Sequence, residues 1–410
     1  MRILIAPDKF KGALSARDAA ENIAAGLREV LHDAKIDIVP MADGGEGTAE
    51  VIAQALGASW VTCPAHDPLG REIEARYAWI DSPSSSLRRD KLAIVEMSEA
   101  AGMRRLHSNK LNPEVATTFG VGEMILDAAR RGAAEIIIGL GGSATNDGGF
   151  GMARALGFRF FAGAKELTGA VTELADLARI ETPVAAGVSP ADSTAQSRKL
   201  SGLPPQLRII AAVDVKNPLL GPNGATRVFG PQKGAGKNEI DILERALTRL
   251  ADVVAEQFGF DYRNEPGAGA AGGLGFGLLS FCGAKIRPGF DVVSGAVGLE
   301  AKIKDADIVI TGEGSLDRQT LEGKTPAGVA RLARKLGKPV FAIVGHTTND
   351  PEVREIFDGV YENARPGMSQ EENMKRAAEL LRENARELAK SLYRARLRGI
   401  SSRSADRRPD

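Results

Sequence analysis

Only two cysteines, Cys63 and Cys282, occur in 410 residues, and nothing in their spacing resembles a metal-ligand pair. A disulfide framework is excluded, and a reducing, cytoplasmic setting is expected. Histidine is almost as scarce, and His32, His66, His107 and His346 match no zinc pattern. Aromatic residues make up 5% of the chain, too few to build stacking platforms for nucleic acid bases. An excess of charge is missing too. The 53 Lys and Arg are balanced by 53 Asp and Glu, so no overall field attracts nucleic acid or an anionic membrane. Any anionic ligand must therefore be held by a local site. Long apolar runs are absent: the weakly polar stretch 267–281 is too short and Gly-rich to span a bilayer. The first residues, a very short apolar run followed by Asp8, do not read as a signal peptide.

Glycine is plentiful instead. The chain has 47, and glycine weakens helix and strand interiors, so the excess asks for a reason. The length allows two or three domains. Residues 2–6, 36–40, 59–63, 73–80 and 92–96 read as strands, as do 135–139, 207–213, 306–311 and 339–344. Helices follow several of them. Ser15 with Asp18 three residues on predicts one helix start, residues 48–56 predict a second helix, and Asn112-Pro113 predicts a long helix to Arg131. Alternation of this kind predicts α/β architecture with a largely parallel sheet. Residues 187–206, rich in Ser, Pro and Ala, predict a surface loop, and the Arg-rich end from 396 to 410 predicts a disordered tail.

In open α/β sheets, ligands collect beyond the carboxyl ends of the strands. The first strand runs into Asp8, Lys9, Phe10, Lys11 and Gly12, and the second into Asp43-Gly44-Gly45-Glu46-Gly47-Thr48. The strand at 135–139 leads to Gly141-Gly142-Ser143-Ala144-Thr145-Asn146-Asp147-Gly148-Gly149, and that at 207–213 leads to Asp214, Lys216 and Asn217. After 306–311 come Gly312-Glu313-Gly314-Ser315-Leu316-Asp317, then Lys324. Five strand ends share one vocabulary of glycines, small hydroxyls, carboxylates and lysines. Phosphoryl transfer suits it, because the protein then supplies positioning and charge and little covalent chemistry. Glycine-rich turns present N–H groups to phosphate oxygens, carboxylates hold magnesium, and a carboxylate accepts the acceptor hydroxyl's proton.

Each residue also has a plainer reading. Asp8 with Lys11 makes a surface ion pair, Asp43 and Asp317 suit turns or helix caps, and Asn146 and Asp147 suit a helix start. Asn217 before Pro218 suits a turn, and His346 a structural role. Residues 267–272 match G-x-G-x-x-G but follow Asn264-Glu265-Pro266 and no strand, so the dinucleotide context fails and tight helix packing is the alternative. Gly323-Lys324-Thr325 resembles the end of a P-loop, yet Arg318 stands where its first glycine belongs.

The segments IAPDKFKGALSA, MADGGEGT, GLGGSATNDGG, DVKNPLLGPNGATRVFGPQKGA, PGAGAAGGLGFG and ITGEGSLDRQTLEGKTPAGVA resemble, in this order, the type 1 bacterial glycerate kinase family. The resemblance spans nearly the whole chain to about Gly345. It implies ATP- and Mg2+-dependent phosphorylation of D-glycerate to 2-phosphoglycerate with release of ADP. It also implies two α/β domains with the site in the cleft between them. One, Rossmann- or flavodoxin-like with a parallel sheet, would comprise 1–75 plus 288–395. The other, mixed α/β, would be the inserted segment 76–287. Two departures stand out: Lys9 occupies a position where the family more often has a small residue, and Gly345-His346-Thr347-Thr348-Asn349-Asp350 replaces a Gly-rich turn.

On this reading the catalytic residues are Lys11, Asp43 as base, and Asp317. Asp8, Lys9, Gly142, Ser143, Asn146, Asp214, Asn217 and Lys324 bind substrate or phosphate. Gly267, Gly269, Gly272, Gly273, Gly312 and Gly314 contact the nucleotide, and Glu46, Glu313 and Asp317 face the metal. The expected partners are D-glycerate and ATP, with no nucleic acid or membrane, in a monomer or homodimer. The alternatives are an NAD-dependent hydroxy-acid oxidoreductase and a non-catalytic sugar-acid sensor.

Overall fold

The computed structural model describes residues 1–81, 91–183, 202–348 and 350–405. Most of the expected loop at 187–206, Asn349, and the last five residues of the expected tail lie outside them. The chain divides into two compact units, Met1–Asp43 with Val293–Asp410, and Gly44–Val292.

The first unit is built on a five-stranded sheet whose strands all run parallel. Its members, by sequence, are Arg2–Ile5, Lys35–Ile38, Ile308–Thr311, Val340–Val344 and Gly359–Glu362. Numbered within the unit, their spatial order is 2-1-3-4-5, the flavodoxin-like order. The central strands are short apolar runs, as burial on both faces demands: Ile3, Ile5, Ile310 and Ile343 are fully enclosed. Helix Ala16–Arg28 begins where Ser15 Oγ accepts the Asp18 N–H, the expected cap. It packs Ile23 and Leu27 against Leu381, Ala385 and Leu388 of helix Ala377–Ala405. A Cβ on Gly26 would stand 2.2 Å from the Arg382 carbonyl oxygen, so glycine is what allows the two helices to approach so closely.

That last helix corrects one expectation. It runs to Ala405, through most of the segment 396–410 read as disordered. The Ala, Leu and Arg residues that precede the tail are strong helix formers and carry an established helix onward.

The second unit centres on a six-stranded sheet in the order Lys285–Pro288, Arg208–Val213, Glu135–Gly139, Leu92–Glu96, Glu72–Ile80, Ser59–His66. The first four strands are parallel and the last two antiparallel. A small antiparallel sheet of Lys165–Glu166, Arg159–Ala162 and Arg179–Glu181 joins the same core, through Phe160 against Phe150 and Phe281. Segment 44–75 belongs to this unit, whereas the sequence placed it with the first. The reason is register: residues 59–66 pair along their whole length with 72–80, so the hairpin carries them into the larger sheet. The expected long helix from Asn112 starts only at Phe119, because Asn112 Oδ1 accepts the Glu114 N–H in a turn and Thr118 is capped from elsewhere. Both cysteines are buried and free. Among the described residues no helix is long and apolar enough to cross a membrane.

Candidate active site

In the first unit the strand order reverses beside Arg2–Ile5, which has Lys35–Ile38 on one side and Ile308–Thr311 on the other. The crevice at such a switch point, beyond the carboxyl ends of the strands, is where open α/β sheets bind ligands. Asp8 and Glu313 follow the two strands that flank it. The Asp8 N–H donates to the Gly312 carbonyl at 2.8 Å, tying the two loops together.

Asp8 is 6% exposed. Its carboxylate accepts the Lys9 N–H at 2.6 Å and the Thr325 hydroxyl at 2.6 Å. Burial, reinforced by the nearby Asp43 charge and only partly offset by Lys9, pushes its pKa up to about 7. Glu313 accepts the Thr320 hydroxyl at 2.8 Å. Burial pushes it up to about 8, against the Thr320 hydrogen bond and the Lys324 charge, with Asp8 and Asp317 adding to the rise. Asp43 and Asp317 are half-buried. Asp8 is thus within electrostatic reach of Asp43 and Lys9, and Glu313 within reach of Asp8, Asp317 and Lys324. Lys324 is the N-cap of helix Thr325–Lys335, with Pro326 in its first turn, so an anion there meets the positive end of the helix. Gly312 and Gly314 line the same loops. A Cβ on Gly312 would lie 2.0 Å from the Ile343 carbonyl oxygen, and one on Gly314 would lie 3.3 Å from the Lys11 nitrogen. Lys11 is exposed in the tight turn closed by Phe10 and Leu14. His346 pairs with Glu362 at 2.9 Å, in line with a structural role.

Hard oxygen donors of this kind suit magnesium, which takes one or two carboxylates and keeps several waters. Among the described residues no group of three or more His, Cys, Asp or Glu is placed to hold a metal ion.

In the second unit, the loop after Glu135–Gly139 carries Gly142, Ser143 and Asn146. Ser143, Thr145, Asn146 and Asp147 are all buried. Asp147 caps two helices at once: it accepts the Thr118 N–H and hydroxyl, both at 2.8 Å, and the Gly149 and Gly151 N–H groups at 3.1 and 3.0 Å. The capping reading therefore holds for Asp147. Asn146 Nδ2 donates to Thr226 Oγ1 at 2.9 Å, while Asn146 Oδ1 and Thr145 Oγ1 are buried without a hydrogen-bond partner among the described residues. Lys233, 1% exposed, donates to Ser143 Oγ at 2.8 Å and to the Thr145 carbonyl at 2.6 Å. Burial lowers its pKa to about 7, against the pull of Asp147. Asn217 Nδ2 donates to the Asn223 carbonyl at 2.8 Å, a turn contact, and Asp214 is exposed.

The 44–48 loop crosses the ends of these strands. A Cβ on Gly139 would lie 2.8 Å from the Gly44 carbonyl oxygen, and one on Gly141 would lie 2.6 Å from the Gly45 Cα. Glu96 accepts the Gly47 and Ala49 N–H groups at 2.8 and 2.9 Å, capping helix Thr48–Leu56, and burial keeps its pKa raised. Glu46 lies 3.4 Å from Arg104, which is itself held by Glu99 at 2.5 Å.

The glycines of 267–273 have a steric explanation. A Cβ on Gly269 would sit 2.1 Å from the Pro218 carbonyl oxygen and one on Gly272 2.0 Å from that of Thr145, while one on Gly273 would lie 2.7 Å from Leu219. Gly267, at φ +89°, packs toward Ile286 and Val213. The element before this segment is helix Lys237–Phe258, so no strand precedes the pattern. The dinucleotide fingerprint lacks its structural context.

Sequence reasoning thus found the strand-end loops but gave no role to Thr320, Thr325, Glu96, Arg104 and above all Lys233. Lys233 stands inside one of the quoted segments, in Gly230-Pro231-Gln232-Lys233-Gly234, yet a lysine among glycines reads as a surface residue.

Comparison with known proteins gives a consistent picture. The sequence model of the glycerate kinase family matches residues 3–393. The chain is 43% identical over 357 residues to the glycerate 2-kinase of Escherichia coli, covering 85% of this chain and 86% of that one. It is 40% identical over 390 residues to a glycerate kinase of Halalkalibacterium halodurans, covering 94% and 97%. It is 39% identical over 399 residues to one of Bacillus subtilis, covering 97% and 99%. A crystal structure of a Salmonella typhimurium LT2 protein described as a glycerate kinase 2 superposes with a TM-score of 0.79 at 39% identity, over 97% of this chain and 99% of that one.

Proposed function

The chain belongs to the glycerate kinase family, and from that membership we propose that it transfers the γ-phosphoryl group of ATP to the 2-hydroxyl of D-glycerate, releasing ADP. Membership makes it a kinase acting on an alcohol group. The observation that carries the finer reading is the group of carboxylates at the switch point of the first unit, Asp8, Asp43, Glu313 and Asp317, beside Lys9 and Lys324.

Roles follow from exposure and charge. Asp8 is enclosed and both of its oxygens are engaged, so its half-buried neighbour Asp43 is the member able to meet a substrate hydroxyl. Asp43 accepts the hydroxyl proton as that oxygen bonds to the γ-phosphorus and the bond to the bridging oxygen breaks. Burial raises the pKa of Asp8 beside it to about 7, so near neutral pH Asp8 adds less negative charge next to the base. Lys11 and Lys9 hold the substrate carboxylate or the transferring group, and Lys324 with the N–H groups of helix Thr325–Lys335 holds nucleotide phosphates. Glu313 and Asp317 would hold magnesium, which supplies charge neutralisation of the phosphates when bound. Gly312 and Gly314, rather than the tightly packed 267–273 segment, border the nucleotide. Two free thiols agree with a cytoplasmic location.

A coupled assay of ADP release, with ATP and magnesium, tests the proposal. Turnover is expected to depend on D-glycerate. ATP consumption indifferent to glycerate, or none at all with it, would refute the assignment.

A further inference from the structure

A fully buried lysine is rare unless its charge is used. Among the described residues no carboxylate is in hydrogen-bond contact with Lys233; its ammonium meets Ser143 Oγ and the Thr145 carbonyl, both in the glycine-rich loop after strand Glu135–Gly139. Lys233 comes from a separate element, the short turn Pro231–Lys233, so it pins that loop from outside. A serine hydroxyl has one proton to give and two lone pairs. Lys233 occupies a lone pair of Ser143, which leaves the hydroxyl proton for another acceptor. The next two polar side chains in the loop, Thr145 and Asn146, are fully buried and hold polar atoms with no partner among the described residues, Thr145 Oγ1 and Asn146 Oδ1. Asp147, the acid whose charge acts on Lys233, already accepts four hydrogen bonds from its own unit.

We propose that Lys233 is a positioning residue that turns the 142–146 loop into a cradle for an anionic oxygen ligand: its ammonium fixes Ser143 as a donor and stands behind it as the compensating charge. The ligand chemistry is a carboxylate or phosphate oxygen. In a glycerate kinase those come from two sources, the hydroxy-acid substrate and the nucleotide. This inference rests on the kinase reading for the choice of ligands, not for the geometry. Lys233 acts through Ser143, so it tunes binding and alignment and exchanges no proton with substrate.

Calorimetric titration of the full chain with D-glycerate and, separately, with ATP–magnesium distinguishes the sources. Lys233→Met and Ser143→Ala are each expected to weaken the same one of the two ligands by tenfold or more and to leave the other within about twofold. The double variant is expected to be little worse than the worse single, because the two residues act as one unit. Lys233→Arg should recover part of the loss, which a purely space-filling role would not allow. Thermal melts check that each variant folds. Should Lys233→Met misfold, Ser143→Ala alone decides. Unchanged binding of both ligands in a folded variant, equal weakening of both, or additive losses would overturn the cradle. The kinase reading fails separately, if the wild-type chain binds a ligand as described yet turns over no glycerate.

Discussion

Asp43 and Asp8 differ in what surrounds them more than in what they are. Asp8 is closed in and bonded at both oxygens, while Asp43 keeps part of its surface. Asp43→Asn should therefore lower kcat by about a hundredfold or more, the usual scale for loss of a general base, with little change in melting temperature. A variant retaining near-normal turnover would contradict the assignment. The raised pKa values of Asp8 and Glu313, about 7 and about 8, also set the sign of a stability change with pH. Both groups bind protons more tightly folded than unfolded, so their contribution is fully present below the ordinary carboxylate pKa, near 4. It is lost as pH rises through about 7 and about 8. In the presence of a chelator, the melting temperature is expected to fall between pH 5 and 8.5, and Glu313→Gln should flatten that fall. A rise over the same range would be the opposite of what burial implies. At this scale the acids were readily legible, since Asp8, Asp43, Glu313 and Asp317 follow apolar runs. It hid Lys233, whose burial depends on Ser143 and Thr145, about 90 positions away.

Helix starts and loop crossings behave differently, because their partners are distant. One carboxylate, Asp147, serves the N-termini of helices Phe119–Arg130 and Phe150–Ala155. Asp147→Ala is expected to destabilise by about 3 kcal/mol, the scale of losing a buried charged hydrogen-bond acceptor, as read from denaturant midpoints. A loss under about 1 kcal/mol, the scale of an ordinary surface cap, would show that the two helices are held by other means. Gly272 makes a second case. At φ +70°, with the Thr145 carbonyl 2.0 Å from any added Cβ, it has no room for alanine. Gly272→Ala should lower the melting temperature, whereas Gly295→Ala, inside helix Gly289–Val297 with open surroundings, should hold or raise it. These contacts explain what was illegible at the element scale. Pro113 invites a helix start locally, but the true start at Phe119 is set from Asp147, which lies 29 residues beyond Thr118. Strands Leu92–Glu96 and Glu135–Gly139 were readable to the residue, because continuous apolar runs identify buried parallel strands without outside help.

Across the whole molecule, the α/β character was legible from alternation, whereas a unit assembled from both ends of the chain was implied only by the family resemblance. The boundary was not. Residues 44–75 look locally like more of the same alternation, and only pairing of 59–66 with 72–80 decides which sheet they join. The abundance of glycine also resolves at this scale. At Gly26, Gly139, Gly269 and Gly272 a side chain would strike another segment's backbone within 3 Å, so many glycines serve close packing, and fewer are left to face a ligand.

The proposal that joins fold, carboxylates and family is phosphorylation of glycerate at its 2-hydroxyl, and the product itself tests it most directly. A proton-coupled phosphorus NMR spectrum of the reaction with ATP, magnesium and D-glycerate is expected to show a phosphomonoester split as a doublet by the single C2 proton, growing in step with ADP. A triplet from the C3 methylene, or ADP and inorganic phosphate with no phosphomonoester, would contradict it.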